Sequence, residues 1–378
     1  MSRICGIVAE YNPFHNGHKH HIAAARQVSD ADHIIAVMSG NFVQRGEPAI
    51  VDKFTRTRMA LLGGADLVLE LPVGFATASA EGFASAAVYI LGKTGLVTDL
   101  CFGAETHDLQ SLQAITHILV DEPDDFKTTL RAGLAQGDSF PKARAGAVKQ
   151  ILPHGADIIS RPNNILAIEY LKALAKFGFN ITPHPVPRKG ANHHDGGLDG
   201  QFASATALRR EILAGNLEDL ISFLPASSLD LLRGQPFNQI DNFSTIFHYN
   251  YNVKGSTLEK AAENHYPISQ VVAAAKTKNI THTALKRKAL SIVLDLATLL
   301  SKPQYIRILG FRRDKAHLIG QLEKTAGLPV ITNLKNAPKD LRGLGLDKEI
   351  EATRLYWLAL KPQNIHGKSE LSAPMIII

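Results

Sequence analysis

The sequence predicts an α/β protein: a Rossmann-like, doubly wound parallel sheet followed by a second, mainly helical domain. Three observations predict it. Apolar-rich runs of strand length stand at residues 4–9, 33–38, 66–71 and 98–102, as expected of strands covered on both faces. Helix-length segments separate them, and alternating strand and helix calls for parallel strands with crossover helices. Beyond about residue 216 glycine thins and the segments turn helical, which divides the chain into 1–215 and 216–378.

The first strand, 4–9, stops in the polar turn Glu10-Tyr11-Asn12-Pro13-Phe14, where Pro13 forbids a central-strand continuation. His15-Asn16-Gly17-His18 follows, and an Ala-rich run predicts a helix over 20–28. After the second strand, 33–38, a glycine-rich polar loop covers 39–50, and Asp52 is placed to cap a helix over 52–62. The third strand, 66–71, ends at Pro72; a helix over 79–92 leads to the fourth, 98–102. Helices with breaks near Pro123 and Pro141 fill 108–152, and an amphipathic helix spans 163–177. A fifth strand over 180–186 enters the polar loop 188–200, and Ser204 opens another helix ending near Gly215. In the second domain, a helix over 285–300 and a small βαβ element over 305–332 are the clearest features.

A chain of 378 residues, 45% hydrophobic and 20% charged, has the composition of a folded globular protein rather than a disordered one. Its two cysteines, Cys5 and Cys101, both lie in strand-like runs and read as reduced core thiols, which fits a cytoplasmic address. No secretory leader precedes the first strand, and no apolar run approaches the roughly 18–20 residues of a membrane span, so no membrane partner is expected. The net charge of +6 is concentrated: residues 276–315 hold ten Lys/Arg against two acids, a surplus of eight. Such a face suits a polyanion such as RNA, through Lys286, Arg287, Lys288, Arg312 and Arg313, or is a solvated helix surface.

The chemistry centres on the first turn. Two histidines three residues apart, where a strand hands over to a helix N-terminus, face unpaired amides and the positive end of the helix dipole. Gly17 lets a ligand approach the backbone, so His15 and His18 suit the α-phosphate of a nucleotide as pyrophosphate leaves. A two-histidine metal pair, or a pair of helix caps, would use the same residues. Ser204, Thr206 and Arg209 form a second phosphate motif or a plain N-cap. Arg45, Lys53 and Arg56 lie near enough in sequence to hold pyrophosphate or a carboxylate, or are surface charges. Gly103, after the fourth strand, would let adenine or ribose lie on the backbone. His193-His194-Asp195 has no nearby cysteine and no third spaced histidine, so neither zinc nor haem is expected; Mg²⁺ would arrive with ATP.

HxGH after a first strand resembles the signature of the nucleotidyltransferase superfamily. The longer series IVAEYNPFHNGHKH, MSGNFVQRGEPA, DLVLELP, FGAE, NNILAIEY, the HHD loop and SATALR is similar, in order, to the tRNA(Met) cytidine acetate ligase family over roughly residues 1–215. The resemblance implies formation of acetyl-adenylate from acetate and ATP, then transfer of acetyl to the N4 amine of the wobble cytidine in elongator tRNA(Met). It also implies ATP contacts at Ile7, Val8, Ala9, Glu10, Tyr11, Asn12, Pro13, Phe14, His15, Asn16, Gly17, His18, Lys19 and His20, and at Gly103, Asn163 and Arg188. One departure is at Asn192-His193, where the family more often has Gly-Tyr. The chief rival is an adenylyltransferase joining AMP to a phosphorylated cofactor precursor; another is a non-catalytic RNA-binding protein.

Overall fold

The computed structural model describes residues 2–187, 202–254, 258–296, 301–360 and 369–378. Its strands in chain order are β1 (Ile4–Ala9), β2 (His33–Ser39), β3 (Phe42–Val43), β4 (Glu47–Pro48), β5 (Leu67–Leu71), β6 (Asp99–Ala104), β7 (Thr182–Pro187), β8 (Ile306–Phe311), β9 (Val330–Ile331) and β10 (Ile376–Ile377). An eight-stranded sheet runs β10-β8-β5-β2-β1-β6-β7, with β9 also on β8, while β3 and β4 form a separate hairpin. The central pairs β5·β2, β2·β1, β1·β6 and β6·β7 are parallel, so their carboxyl ends share one edge.

Alternation along the strands divides the core between the two faces. Ile35 and Val37 of β2 join Leu69 and Leu100 beneath the helices Ala80–Lys93 and Pro162–Phe177. Ile34, Ala36 and Met38 point the other way, with Cys5, Ile7 and Cys101, under Asn16–Ser29 and Lys53–Leu62. Both thiols are buried and reduced. The caps expected at Asp52 and Ser204 form, with Asp52 Oδ1 accepting the Phe54 and Thr55 amides, and Ser79 caps the helix Ala80–Lys93 as well.

Two expectations are corrected. The first helix begins at Asn16, four residues before the Ala-rich run, because His15 is its N-cap. The βαβ element forms as β8, helix His317–Thr325 and β9, with the two strands parallel, but it is no free-standing unit: β8 pairs antiparallel with β5 and extends the main sheet. The sheet is therefore mixed at one edge. The apolar tail supplies β10, parallel to β8. The helix expected over 285–300 runs His282–Val293, and residues 297–300 lie outside those described.

The helical segments after residue 216 build a third core from Phe243, Phe247, Val271, Leu285, Leu290 and Tyr356. Phe42 of the hairpin and Val73 belong to that core too, with Phe42 edge-on to Phe243. Among the described residues no helix is long and apolar enough to cross a membrane.

Candidate active site

A cavity of about 260 Å³ opens at the carboxyl edge of the parallel strands. Residues at the end of β1, the histidine turn, Gln44 and Arg45, Gly103 at the end of β6, Asn163, and Ser204, Thr206 and Arg209 all line it. The structure thus brings together segments up to two hundred residues apart, and each arrives at the end of a strand or the start of a helix.

The histidine turn is braced by its own side chains. His15 Nδ1 accepts the Gly17 N–H at 3.0 Å, and His18 Nδ1 accepts the His15 N–H at 3.3 Å. This reciprocal capping box satisfies two otherwise unpartnered amides at the start of the helix. The two rings stack with centroids 3.7 Å apart, and Tyr11 packs edge-on to His18 at 5.0 Å. Because both Nδ1 atoms accept, the neutral rings carry their proton on Nε2, the nitrogen suited to donate to an anion. A Cβ on residue 17 would lie 2.8 Å from His15 Cε1, so glycine is required there for the capping geometry. The capping role and the phosphate role, opposed in the sequence, are compatible: one ring nitrogen serves each.

Across the cavity, Ser204 Oγ accepts the Ala207 amide as N-cap. Arg209 donates to the Asn12 carbonyl at 2.9 Å and to Thr206 Oγ1 at 3.3 Å, which ties the second motif to the first turn. Its Nη2 lies 3.5 Å from Glu47, whose other oxygen pairs with Lys286. Burial raises the Glu47 carboxyl, but Arg209 and Lys286 outweigh that and hold it below its usual range. Burial also lowers the Arg209 guanidinium. Asn163 is positioned by Glu105, which accepts its side-chain amide at 2.5 Å.

Not every expected residue reaches the cavity. Within 7–20, Ile7 and Phe14 pack in the core, Asn16 donates to the Ser222 carbonyl, Lys19 is exposed, and Pro13 is buried outside the lining. Lys53 and Arg56 are corrected more sharply. Both are fully buried: Lys53 lies between Glu70 and Glu370, and Arg56 donates to the carbonyls of Val51, Glu10, Ser39 and Gly40. Arg45 alone of the three lines the cavity. Arg188 and the His193-His194-Asp195 loop lie outside the described residues. Among those described, no group of three or more His, Cys, Asp or Glu is placed to hold a metal.

The basic window also divides. Lys286, Arg287 and Lys288 sit on helix His282–Val293, which seats on the turn before β4: Gly46 has φ +75°, and a Cβ there would meet the Arg287 backbone nitrogen at 2.4 Å. Arg312 and Arg313 follow β8, and the Arg312 amide bonds the Asp66 carbonyl where β5 begins. Since β8 runs against β5, these two arginines lie at the amino edge of the sheet, away from the cavity.

Sequence reasoning missed Tyr170, Leu166, Phe202 and Gln44, all of which line the cavity. Leu166 and Tyr170 were within reach of it: they fall three and seven residues after Asn163, on one helix face.

A doubly wound sheet with a histidine-capped helix start lining a cavity at its carboxyl edge defines a nucleotidyltransferase-type protein, and the model of the HIGH Nucleotidyl Transferase family matches residues 2–370. The tRNA(Met) cytidine acetate ligase of Thermoanaerobacter sp. (strain X514) is 37% identical over 389 residues, 96% of this chain and 97% of that protein. That of Clostridium perfringens (strain ATCC 13124) is 36% identical over 402 residues, 99% of both. The crystal structure of Thermotoga maritima TmcAL bound with alpha-thio ATP superposes with a TM-score of 0.89 at 33% identity, covering 100% of this chain and 99% of that one. The chain belongs to the tRNA(Met) cytidine acetate ligase family.

Proposed function

We propose that this protein is an ATP-dependent acetate ligase. It forms acetyl-adenylate from acetate and ATP, releases pyrophosphate, and passes acetyl to the N4 amine of the wobble cytidine of elongator tRNA(Met). The observation that carries the reading is the pair of capped histidines facing, across one cavity, the hydroxyl-and-arginine start of helix Ala205–Leu213. Similarity to named ligases over nearly the whole chain supports the choice of substrates.

The chemistry needs no side-chain nucleophile. Acetate would have to expel oxide to acylate directly; joined to AMP it carries a far better leaving group. A carboxylate oxygen attacks the α-phosphate, and His15 and His18 stabilise the growing negative charge through Nε2–H donors. Ser204, Thr206 and Arg209 hold the β and γ phosphates, with Arg45 toward the pyrophosphate or the incoming carboxylate. Gly103, Asn163 and Arg188 hold the nucleoside. Mg²⁺ enters on ATP, largely with water ligands. The helical region after residue 216 offers Lys286, Arg287 and Lys288 to RNA phosphates beside the cavity. The reaction belongs in the cytoplasm, where ATP and tRNA are.

The test is ATP–pyrophosphate exchange with Mg²⁺, with and without acetate, then with bulk tRNA added. Acetate-dependent exchange is expected. Silence with acetate in both the presence and the absence of tRNA would overturn the reading.

A further inference from the structure

A cavity built for anions keeps one carboxylate in its wall. Both substrates of the adenylation step are negative, and His15, His18, Arg45 and Arg209 meet them there. Among the described residues that line the cavity, Glu10 is the only acid. Two like charges about 4 Å apart cost about 4 kcal/mol at an effective dielectric near 20, so a carboxylate here works against substrate binding unless it has a task of its own.

The side chain is fixed. Its Oε1 accepts the Gln44 amide at 2.9 Å, and Arg56 grips the Glu10 carbonyl at 2.7 Å. Burial raises the affinity of the carboxyl for a proton, and Glu47 adds to that, against Arg45, Arg209 and the Gln44 amide. Tyr170, on the wall made by helix Pro162–Phe177, lies within its field, its hydroxyl pushed up by burial and by Glu10. The anchoring turn has a second occupant: Gly46 is packed against the Arg287 backbone, and Glu47 pairs with Lys286. Glu10 therefore hangs from the segment on which the basic helix is seated.

We propose that Glu10 is the general base of acyl transfer, taking a proton from the exocyclic amine of the acceptor base. The inference rests on the ligase reading above. The lone pair of an aromatic amine is delocalised into its ring, so the nitrogen is a weak nucleophile and its N–H becomes strongly acidic as the new bond forms. The amine nitrogen attacks the acetyl carbonyl carbon, and the C–N bond forms. The bond from that carbon to the AMP phosphate oxygen breaks, and AMP leaves with the electron pair. The proton passes from nitrogen to the Glu10 carboxylate and then to solvent.

Wild type and Glu10→Gln are each given ATP, Mg²⁺ and radiolabelled acetate, with either bulk tRNA or hydroxylamine as acceptor. Hydroxylamine takes acetyl from an adenylate without a base, so hydroxamate reports adenylate made and acetylated RNA reports transfer. In Glu10→Gln the ratio of RNA product to hydroxamate should fall by about 100-fold or more. The acid limb of that ratio's pH profile should vanish, and Glu10→Asp should restore part of both. A proportionate fall in both products would overturn the proposal and assign Glu10 to nucleotide or magnesium binding. An unchanged ratio would also overturn it, leaving the departing AMP phosphate as the base. Absence of acetate-dependent hydroxamate from the wild type would overturn the ligase reading, and this inference with it.

Discussion

The histidine-lined cavity and the ion cluster at the start of helix Lys53–Leu62 draw on the same residue types and put them to opposite uses. In the cluster, Lys53 reaches Glu70 at 2.5 Å and also touches Glu370, while Arg307 reaches Glu70 at 2.7 Å and Glu370 at 2.5 Å. Glu349 stands beside them and accepts the Val73 amide. Three carboxylates against two cations leave one negative charge too many, and burial, followed by Glu70, pushes Glu349 up to about 8. Burial raises Glu370 too, yet Lys53 and Arg307 outweigh it and hold it down to about 2. The cavity and its rim have the reverse imbalance: Arg45, Arg209 and Lys286 stand against Glu10 and Glu47, with Arg209 also resting on a carbonyl and a hydroxyl. A cluster that neutralises itself is a fastening; one that keeps a surplus of positive charge beside an open space has charge left to offer an anion.

That contrast can be broken in three ways. Lys53→Met leaves Glu70 and Glu370 to share Arg307 as their one buried cation and should cost about 3–5 kcal/mol of stability, read by chemical denaturation. A variant of near wild-type stability would place the lysine with the receptor residues. His18→Ala should lower acetate-dependent exchange by about 10²–10³-fold in a protein that still folds. An unchanged exchange rate would reduce His18 to a helix cap. The smallest effect is the pH response of Glu349. With its folded value near 8, above the ordinary carboxyl value of about 4.3, the native state binds the extra proton. Its contribution is full at low pH and is lost as pH rises through about 8. Between about pH 5 and 8, Glu349→Gln should therefore gain on the wild type by up to about 1.4 kcal/mol per pH unit. A parallel pair of stability curves would refute the protonated Glu349.

What was legible in the sequence was local. Strands of β-branched and apolar residues, caps at Asp52 and Ser204, and the glycine between two histidines all act within a few residues of themselves. Arg45 and Lys53 look equivalent at that range, both beside the glycine-rich loop after β2. What separates them is Glu370, 317 residues beyond Lys53, and no local pattern reports that distance. Arg312 and Arg313 part from Lys286, Arg287 and Lys288 for a similar reason. Ten basic residues in one window suggest one surface, but a strand that pairs antiparallel carries its end to the opposite edge of the sheet. Tyr170 was within reach through helical spacing from Asn163; Phe202 and Gln44 belong to loops, where spacing carries no such information.

The separation of Lys53 from Glu370 also sets a clock. At roughly 5–20 residues per second of synthesis, the lysine leaves the ribosome on the order of 15 s to a minute before its carboxylate partner exists. For most of that interval β5 has no β8 on its flank, and of the two carboxylates that hold the ammonium only Glu70 has been made. The nascent chain can assemble β1, β2, β5 and β6 early, yet its charge lock closes only when residue 370 arrives, so a ribosome stalled short of that point would hold a nucleotide domain with an unlatched edge.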